Sequence, residues 1–376
     1  MYVFYNFANP MSGPIGGSKL IMYNKTKENC LEQVTTNIYF NRCFSSTYKI
    51  IESFLSNNNS YKFKIYISHV CANSYLEEVA DYFEVEPSLD GSDYVKYCLD
   101  FCFKHHINLF VPRYNVTTLI NFKEQFEQLG VKVMFIGNSA TYQLLDDKFK
   151  TYEALKDTDI VAIPKTFCIR NYVDFEKAHD DITKNKSSSC LKPISGIGGD
   201  GFKQILEDMK EVDELYKTTG PTIAMDRIVR VLQNSIDINP FMVMEYLEGD
   251  EFSIDCLGNK GELIVAIPRR KLDLYRQNIE YREDLIALAQ KLTKEFSLSY
   301  LYNIQVKYHR GKAYLIEINT RMSAGIHKSC FTGVNFLDLA IKLLMGETVT
   351  TPDCIHWGFQ IRTTENYEIV PTLAIP

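Results

Sequence analysis

Between residues 60 and 145 short apolar runs alternate with stretches whose apolar residues recur at helical spacing. YKFKIYISHV, INLFVP and VKVMFIG read as strands, and helices are predicted around Tyr75 to Tyr82, from Asp93 to His105 and from Thr117 to Leu129. Strand and helix in turn predict a parallel sheet covered by helices. The pattern changes at Pro164, in IPKTF. A helix is expected near Asp226 to Asn234, below a hinge that follows the apolar strand Phe241 to Met244. SIDCLG and GELIVAIPRRK then form a hairpin around Gly258-Asn259-Lys260-Gly261. A second hairpin joins Tyr302–Tyr308 to YLIEINTR through His309-Arg310-Gly311-Lys312. The tail from Thr350 holds the single Trp, Trp357, in an expected strand pair covering this region. Residues 1–59 say less: Met11 to Lys19 read as a Gly/Ser loop and Asn57 to Ser60 as a surface turn.

The last hairpin carries the most chemistry. Leu315, Ile316 and Ile318 mark its second strand, so alternation sends Glu317, Asn319 and Arg321 to one face. The return strand can bring Gln305 beside them. Carboxylate and amide oxygens without thiolates or a histidine cluster suit a hard cation, Mg²⁺ or Mn²⁺, and Arg321 can neutralise a phosphoryl oxygen. An amphipathic edge hairpin with a solvated polar face is the alternative that this pattern leaves open. Upstream, CLKPISGIGGDGF runs from a strand end bearing Lys192 into a loop with Ser195, Gly196, Gly198, Gly199 and Gly201. Such a loop can turn backbone N–H groups toward phosphates, although many glycine loops are plain hairpin connections. SGPIGGSK, near the N-terminus, lacks phosphate-loop spacing and reads as a loop.

Taken in order, these motifs resemble the ATP-grasp superfamily, in its carbamoyl-phosphate-synthetase-like carboxylate-ligase branch. NIQ followed by EINTR matches that family's N-x-Q…E-x-N-P-R pattern, with Thr320 standing where proline is usual. The resemblance implies an α/β fold in which a Rossmann-like domain, residues 1–146, precedes a two-lobed ATP-grasp fold. The small lobe would span 147–247 and the large lobe 248–376, with ATP between them. It also implies that Gln305, Glu317 and Asn319 hold Mg²⁺, and that Lys148 and Lys192 contact nucleotide phosphates under the glycine loop. Arg321 would contact the transferring phosphate. Glu245 would accept from the adenine amine, backbone groups of Tyr246 and Leu247 would read the ring edge, and Glu251 would hold the ribose. VPRYN, IGGDGF, PRRK and EINTRMSAGIHKS are similar to the ATP-grasp group associated with tellurium-resistance-type stress operons, a likeness that names no substrate.

Composition narrows the function classes. The 376 residues are 45% hydrophobic, enough for more than one lobe. A formal net charge of −6 with dispersed Lys and Arg argues against nucleic acid, and no apolar run reaches the roughly 18 residues of a membrane span. MYVFYNFANPM does not read as a signal peptide, so a cytoplasmic enzyme is expected. The ten cysteines show no C-x-x-C spacing and read as reduced thiols. Cys98, Cys102 and His105 or His106 recur near helical spacing. Their aromatic neighbours make a core helix the better reading than zinc.

On the acceptor side, Arg269 or Arg270 would clamp a carboxylate, or both are exposed edge arginines. SAGIHKSCFTG, residues 323–333, is expected to line the acceptor pocket. His327 is a candidate base and Cys330 a weaker candidate nucleophile, with structural roles as the alternatives. The family resemblance favours a ligase joining a small carboxylate to an amine-type nucleophile, and leaves a homodimer open. A small-molecule kinase and a nucleotide-binding regulatory module are the alternatives.

Overall fold

Five short strands running in one direction make the first sheet: β1 (Thr35–Asn41), β2 (Lys62–His69), β3 (Tyr82–Val85), β4 (Leu109–Val111) and β5 (Lys132–Val133), in the order β3-β2-β1-β4-β5. The computed structural model describes residues 35–43, 46–56, 62–72, 74–184, 186–196, 199–210, 212–213, 220–235 and 238–364. The Gly/Ser loop at 11–19, the turn at 57–60, Gly198 and the end of the tail lie outside these.

The sheet is the parallel α/β arrangement that the alternation predicts, and Tyr39 stacks between Phe101 and Phe110 at 4.2 and 4.6 Å in its core. Two expected helices differ. Over Tyr75–Val79 there is only a 3₁₀ turn, and Tyr82–Val85 instead pairs with the open edge of β2, because aromatic and β-branched residues fit a half-buried edge. The helix expected over Thr117 to Leu129 is broken into Val116–Leu119, a 3₁₀ turn at Ile120–Phe122, and Lys123–Gln128. The helix expected at Asp93 to His105 spans Gly91–Lys104. It buries Cys98 and Cys102, and the His105 ring packs 4.3 Å from Tyr82. Burial pushes the Cys98 thiol up to about 12, as befits a core residue.

The second sheet comprises β6 (Thr166–Ile169), β7 (Ser189–Pro193), β8 (Lys203–Leu206), β9 (Thr222–Ala224) and β10 (Phe241–Glu245), ordered β6-β10-β7-β8-β9. Helices Tyr172–Thr183 and Met225–Asn234 give it a core of its own, in which Ile228 joins Phe175, Ile169 and Val243 of β10.

The third sheet is antiparallel: β11 (Glu251–Asn259), β12 (Glu262–Lys271), β13 (Arg276–Ile279), β14 (Tyr300–His309), β15 (Lys312–Asn319) and β16 (Phe359–Arg362), ordered β15-β14-β11-β12-β13-β16. Helix Glu283–Glu295 covers its apolar face, with Leu285, Ala289 and Leu292 in one cluster with Phe252, Ile254 and Cys256. Phe336 and Leu337 of helix Phe336–Met345 cluster with Leu257 and Ile267, so part of the opposite face is also covered. Trp357 precedes β16 and packs edge-on against Tyr281 at 5.4 Å.

Helix Lys148–Leu155, capped by Asp147, and the segment after it tie the second sheet to the third. The Lys148 N–H donates to the Ile194 carbonyl, the Tyr152 hydroxyl donates to the Ile316 carbonyl at 2.7 Å, and the Leu315 N–H donates to the Ala162 carbonyl. Among the described residues no helix is long and apolar enough to cross a membrane.

Candidate functional site

Directly paired residues on neighbouring strands face the same way, so register fixes what the open part of the third sheet presents. Gln305 lies opposite Glu317 and Asn303 opposite Asn319. On the other side of β14, Ser253 faces Gln305 and Asp255 faces Asn303, and Arg269 of β12 faces Ser253. The register slips between Gln305 and Val306, where Ile316 has no partner. The hairpin thus brings Gln305, Glu317 and Asn319 together as expected, within a larger polar field.

Two lysines from other elements converge on that field. Lys148, at the first turn of its helix, places Nζ 3.5 Å from Glu317 Oε2 and 3.1 Å from the Gly196 carbonyl. Lys192, on β7, places Nζ 3.5 Å from the same carboxylate oxygen and 3.4 Å from the Ile316 carbonyl. Both ammonium groups are buried. The Asn319 amide donates to Glu317 Oε1 at 3.1 Å and to Asn303 Oδ1 at 3.4 Å.

Burial alone would raise the Glu317 carboxyl, but Lys192, Lys148 and the Asn319 amide outweigh it and hold the group below the usual carboxylate range. Burial lowers Lys192, and Lys148 adds to this, against the pull of Glu317. Burial also lowers Arg321, which Asp146 and Glu317 partly counter. The result is one ionised carboxylate between two buried lysines, with the partly buried Arg321 acting on it electrostatically. The oxygen donors here, the side chains of Gln305, Glu317 and Asn319, are those a hard divalent cation takes.

The remaining expected residues divide. Ser195 and Gly196 are exposed at the mouth of the β7–β8 connection. Gly199 has φ +84°, and Gly201 has φ +73° with Pro193 so close that a Cβ would meet its ring at 2.5 Å. Glu245, at the end of β10, accepts from the Ser187 hydroxyl at 2.8 Å and lies 3.7 Å from His309 Nε2. Beside it an open cleft of about 520 Å³ is lined by Lys186, Ser187, Tyr246, Tyr308, His309 and Arg310. The Tyr246 N–H donates to the Ser188 carbonyl. Glu251 is ion-paired to Lys271 and faces Lys307 across the sheet.

Arg269 and Arg270 point different ways. Neighbours on a strand point to opposite faces, so only one can reach the polar field. Arg270 is turned away, bonded to Glu280 at 2.7 Å and Asp250 at 3.3 Å. Arg269 does face the field but is only 2% exposed and not at an edge. Its guanidinium donates to Asp255, Ser329, Gln277, Ser253 and Ser323 at 2.5 to 3.2 Å. These bonds engage all three nitrogens of the guanidinium within the network. His327 packs its Nδ1 3.1 Å from the Ala324 carbonyl, and burial lowers its pKa.

Sequence reading missed Asp255, Asn303, Tyr152 and Arg113. Asp255 accepts from Arg269, from Ser323 and Ser329 at 2.6 Å each, and from Asn303 at 2.8 Å. Ser253 and Asp255 alternate within an apolar strand, a signal that was present. Arg113 leaves the end of β4, is buried, and donates to the Met322 carbonyl at 2.9 Å. Burial, and Arg321 nearby, push it down to about 10.

Residues 237–367 match a family model described as "ATP-grasp in the biosynthetic pathway with Ter operon". That span contains PRRK and EINTRMSAGIHKS but not VPRYN or IGGDGF. The chain is 23% identical over 255 residues to the carbamoyl phosphate synthase large chain of Clostridium acetobutylicum, covering 64% of this chain and only 22% of that protein. In structure it is similar to biotin carboxylase from Campylobacter jejuni, with a TM-score of 0.63 at 14% identity over 86% of this chain and 74% of that one. It is also similar to an L-amino acid ligase from Bacillus licheniformis, with a TM-score of 0.57 at 12% identity over 83% and 74%.

Proposed function

We propose that this chain, which carries the ATP-grasp fold, is an ATP-dependent ligase that activates a small carboxylate as an acyl phosphate for attack by an amine-type nucleophile. The observation that carries the reading is the convergence of Lys148 and Lys192 on Glu317, beside Gln305 and Asn319. Two buried ammonium groups balanced by one carboxylate leave an excess of positive charge, which a polyphosphate meets. The likeness to a carbamoyl phosphate synthase and to an amino acid ligase supports the same chemistry.

A carboxylate resists attack by an amine at neutral pH. One of its oxygens would instead bond to the terminal phosphorus of ATP as the bond to ADP breaks. The amine then attacks the acyl carbon, phosphate leaves, and the amine loses a proton. Lys148, Lys192 and Arg321 would stabilise charge on the transferred group from fixed positions shielded from bulk water. Gln305, Glu317 and Asn319 would hold Mg²⁺ or Mn²⁺, which supplies charge neutralisation at the phosphates. Glu245 and backbone groups of Tyr246 and Leu247 would take the adenine beside the hinge cleft and Glu251 the ribose, while the loop at 195–202 would exclude water.

Hydroxylamine tests the intermediate. With enzyme, Mg-ATP and a pool of candidate carboxylates, and no amine, it should yield a hydroxamate together with ADP and phosphate. A stable phosphorylated acid without hydroxamate would make the protein a kinase. Arg321→Ala should abolish the hydroxamate while ADP still binds. The glycine loop gives a separate expectation. At φ +84° a β-branched residue is strained by about 1–3 kcal/mol. Gly199→Val should therefore weaken Mg-ATP binding about tenfold, since 1.4 kcal/mol is a factor of ten, with little change in Tm because no described atom lies within 4 Å of an added Cβ and the free loop can relax out of the strained conformation. Unchanged affinity would make the loop a plain connection.

A further inference from the structure

Asp255 on β11, Asn303 on β14 and Asn319 on β15 stand side by side in one row across the third sheet. The row begins at a carboxylate and ends beside Glu317. Asp255 and Asn303 are fully buried. An amide side chain has one end that only accepts and one that only donates, so its neighbours decide which way it faces. One end of the Asn303 amide lies 2.8 Å from Asp255 Oδ1 and 3.0 Å from the Ile254 carbonyl oxygen, and both of these are acceptors. The NH₂ must therefore occupy that end. Ser253 Oγ, 3.0 Å from the same nitrogen, suits it as well, because a hydroxyl also accepts. Asp255 cannot offer a donor instead, since Arg269, Ser323 and Ser329 all donate to its carboxylate.

The oxygen of the Asn303 amide is thereby turned toward Asn319. On that side Asn319 meets two acceptors, Asn303 Oδ1 at 3.4 Å and Glu317 Oε1 at 3.1 Å. Its NH₂ serves both, and its oxygen is directed away from them. We propose that Asn303, itself fixed by Asp255, is a positioning residue for the cation: the two set the Asn319 amide so that its oxygen and not its NH₂ is free to bind Mg²⁺ or Mn²⁺. A hard cation takes amide oxygen and is repelled by the NH₂, so this setting decides whether Asn319 is a ligand at all. The inference rests on the reading above for the place of the cation.

Mn²⁺ binding to the full chain with saturating ADP, read by electron paramagnetic resonance as loss of the free-ion signal, tests the relay without any turnover. Asn303→Leu leaves the Asp255–Arg269 pair whole and removes the amide between Asp255 and Asn319. It should weaken Mn²⁺ binding about tenfold, the lower end of what residues behind a metal ligand contribute. In an Asn319→Asp chain both ends of the side chain are oxygens and no orientation is left to set, so the same substitution should cost nothing measurable there. Asp255→Asn should follow the same pattern, because Arg269 keeps the oxygen of the new amide and turns its NH₂ to Asn303; if that variant does not fold, Asn303→Leu decides. An equal loss in both backgrounds would reduce Asn303 to packing, and no loss in the Asn319 chain would mean that the amide is not set by it; either result overturns the proposal. A wild-type chain that binds ADP but no Mn²⁺ would instead sink the metal reading.

Discussion

Glu317→Gln is expected to lower Mg-ATP turnover by roughly two to three orders of magnitude, the scale on which preorganised charge at a transferring group acts. The substitution keeps shape and removes one charge, and that charge is the counterion of two buried lysines. A less obvious effect should accompany the loss. In the wild-type chain the carboxylate competes with any phosphate for Lys148 and Lys192, unless a metal takes the carboxylate. ADP in the presence of a metal chelator should therefore bind the variant more tightly than the wild type, and added Mg²⁺ should help the variant less. Titration calorimetry with and without Mg²⁺ reads both effects. Equal metal-free affinity in the two chains would mean that Glu317 does not hold the lysines, and wild-type turnover would remove the metal assignment.

The second large effect concerns stability. Arg269→Met should destabilise the protein by about 3–5 kcal/mol, because it leaves the fully buried Asp255 carboxylate without its cation. Urea denaturation would show a lower midpoint with little change of slope. The double variant Arg269→Met/Asp255→Asn should recover part of the loss, since the uncompensated charge is then gone. A double variant no more stable than Arg269→Met would show that hydrogen bonds to the serines, and not the ion pair, carry the network.

Why some of this was legible in the chain and some was not has physical causes. Period-two alternation and a short turn are local facts, so Gln305, Glu317 and Asn319 could be aligned from the hairpin alone. The same rule, carried to the neighbouring strands, bars a joint role for Arg269 and Arg270 and pairs Ser253 with Asp255 and Asn303 with Gln305, steps that the sequence reading did not take. Whether Arg269 would be spent internally depended on Ser323 and Ser329, more than fifty residues away. Arg113 meets Met322 across a separation of 209 residues, which no pattern within either segment encodes. The region Tyr75 to Val85 misled because its apolar spacing suits a helix, while the vacant edge of β2 offered the aromatic residues backbone partners.

The slip at Ile316 reaches beyond register. Its carbonyl accepts from the Tyr152 hydroxyl and faces Lys192 Nζ at 3.4 Å, so a helix before the second sheet, a strand within it and β15 meet at one backbone oxygen. Replacing the Ile316 side chain leaves that oxygen in place, so alanine at 316 does not test the acceptor, whereas Tyr152→Phe and Lys192→Met remove its donors. On the β15 side only a change to the backbone itself, such as an amide-to-ester exchange that weakens the acceptor, would address it. The point where three segments meet beside Glu317 is thus open to substitution from two of them and closed to it from the third.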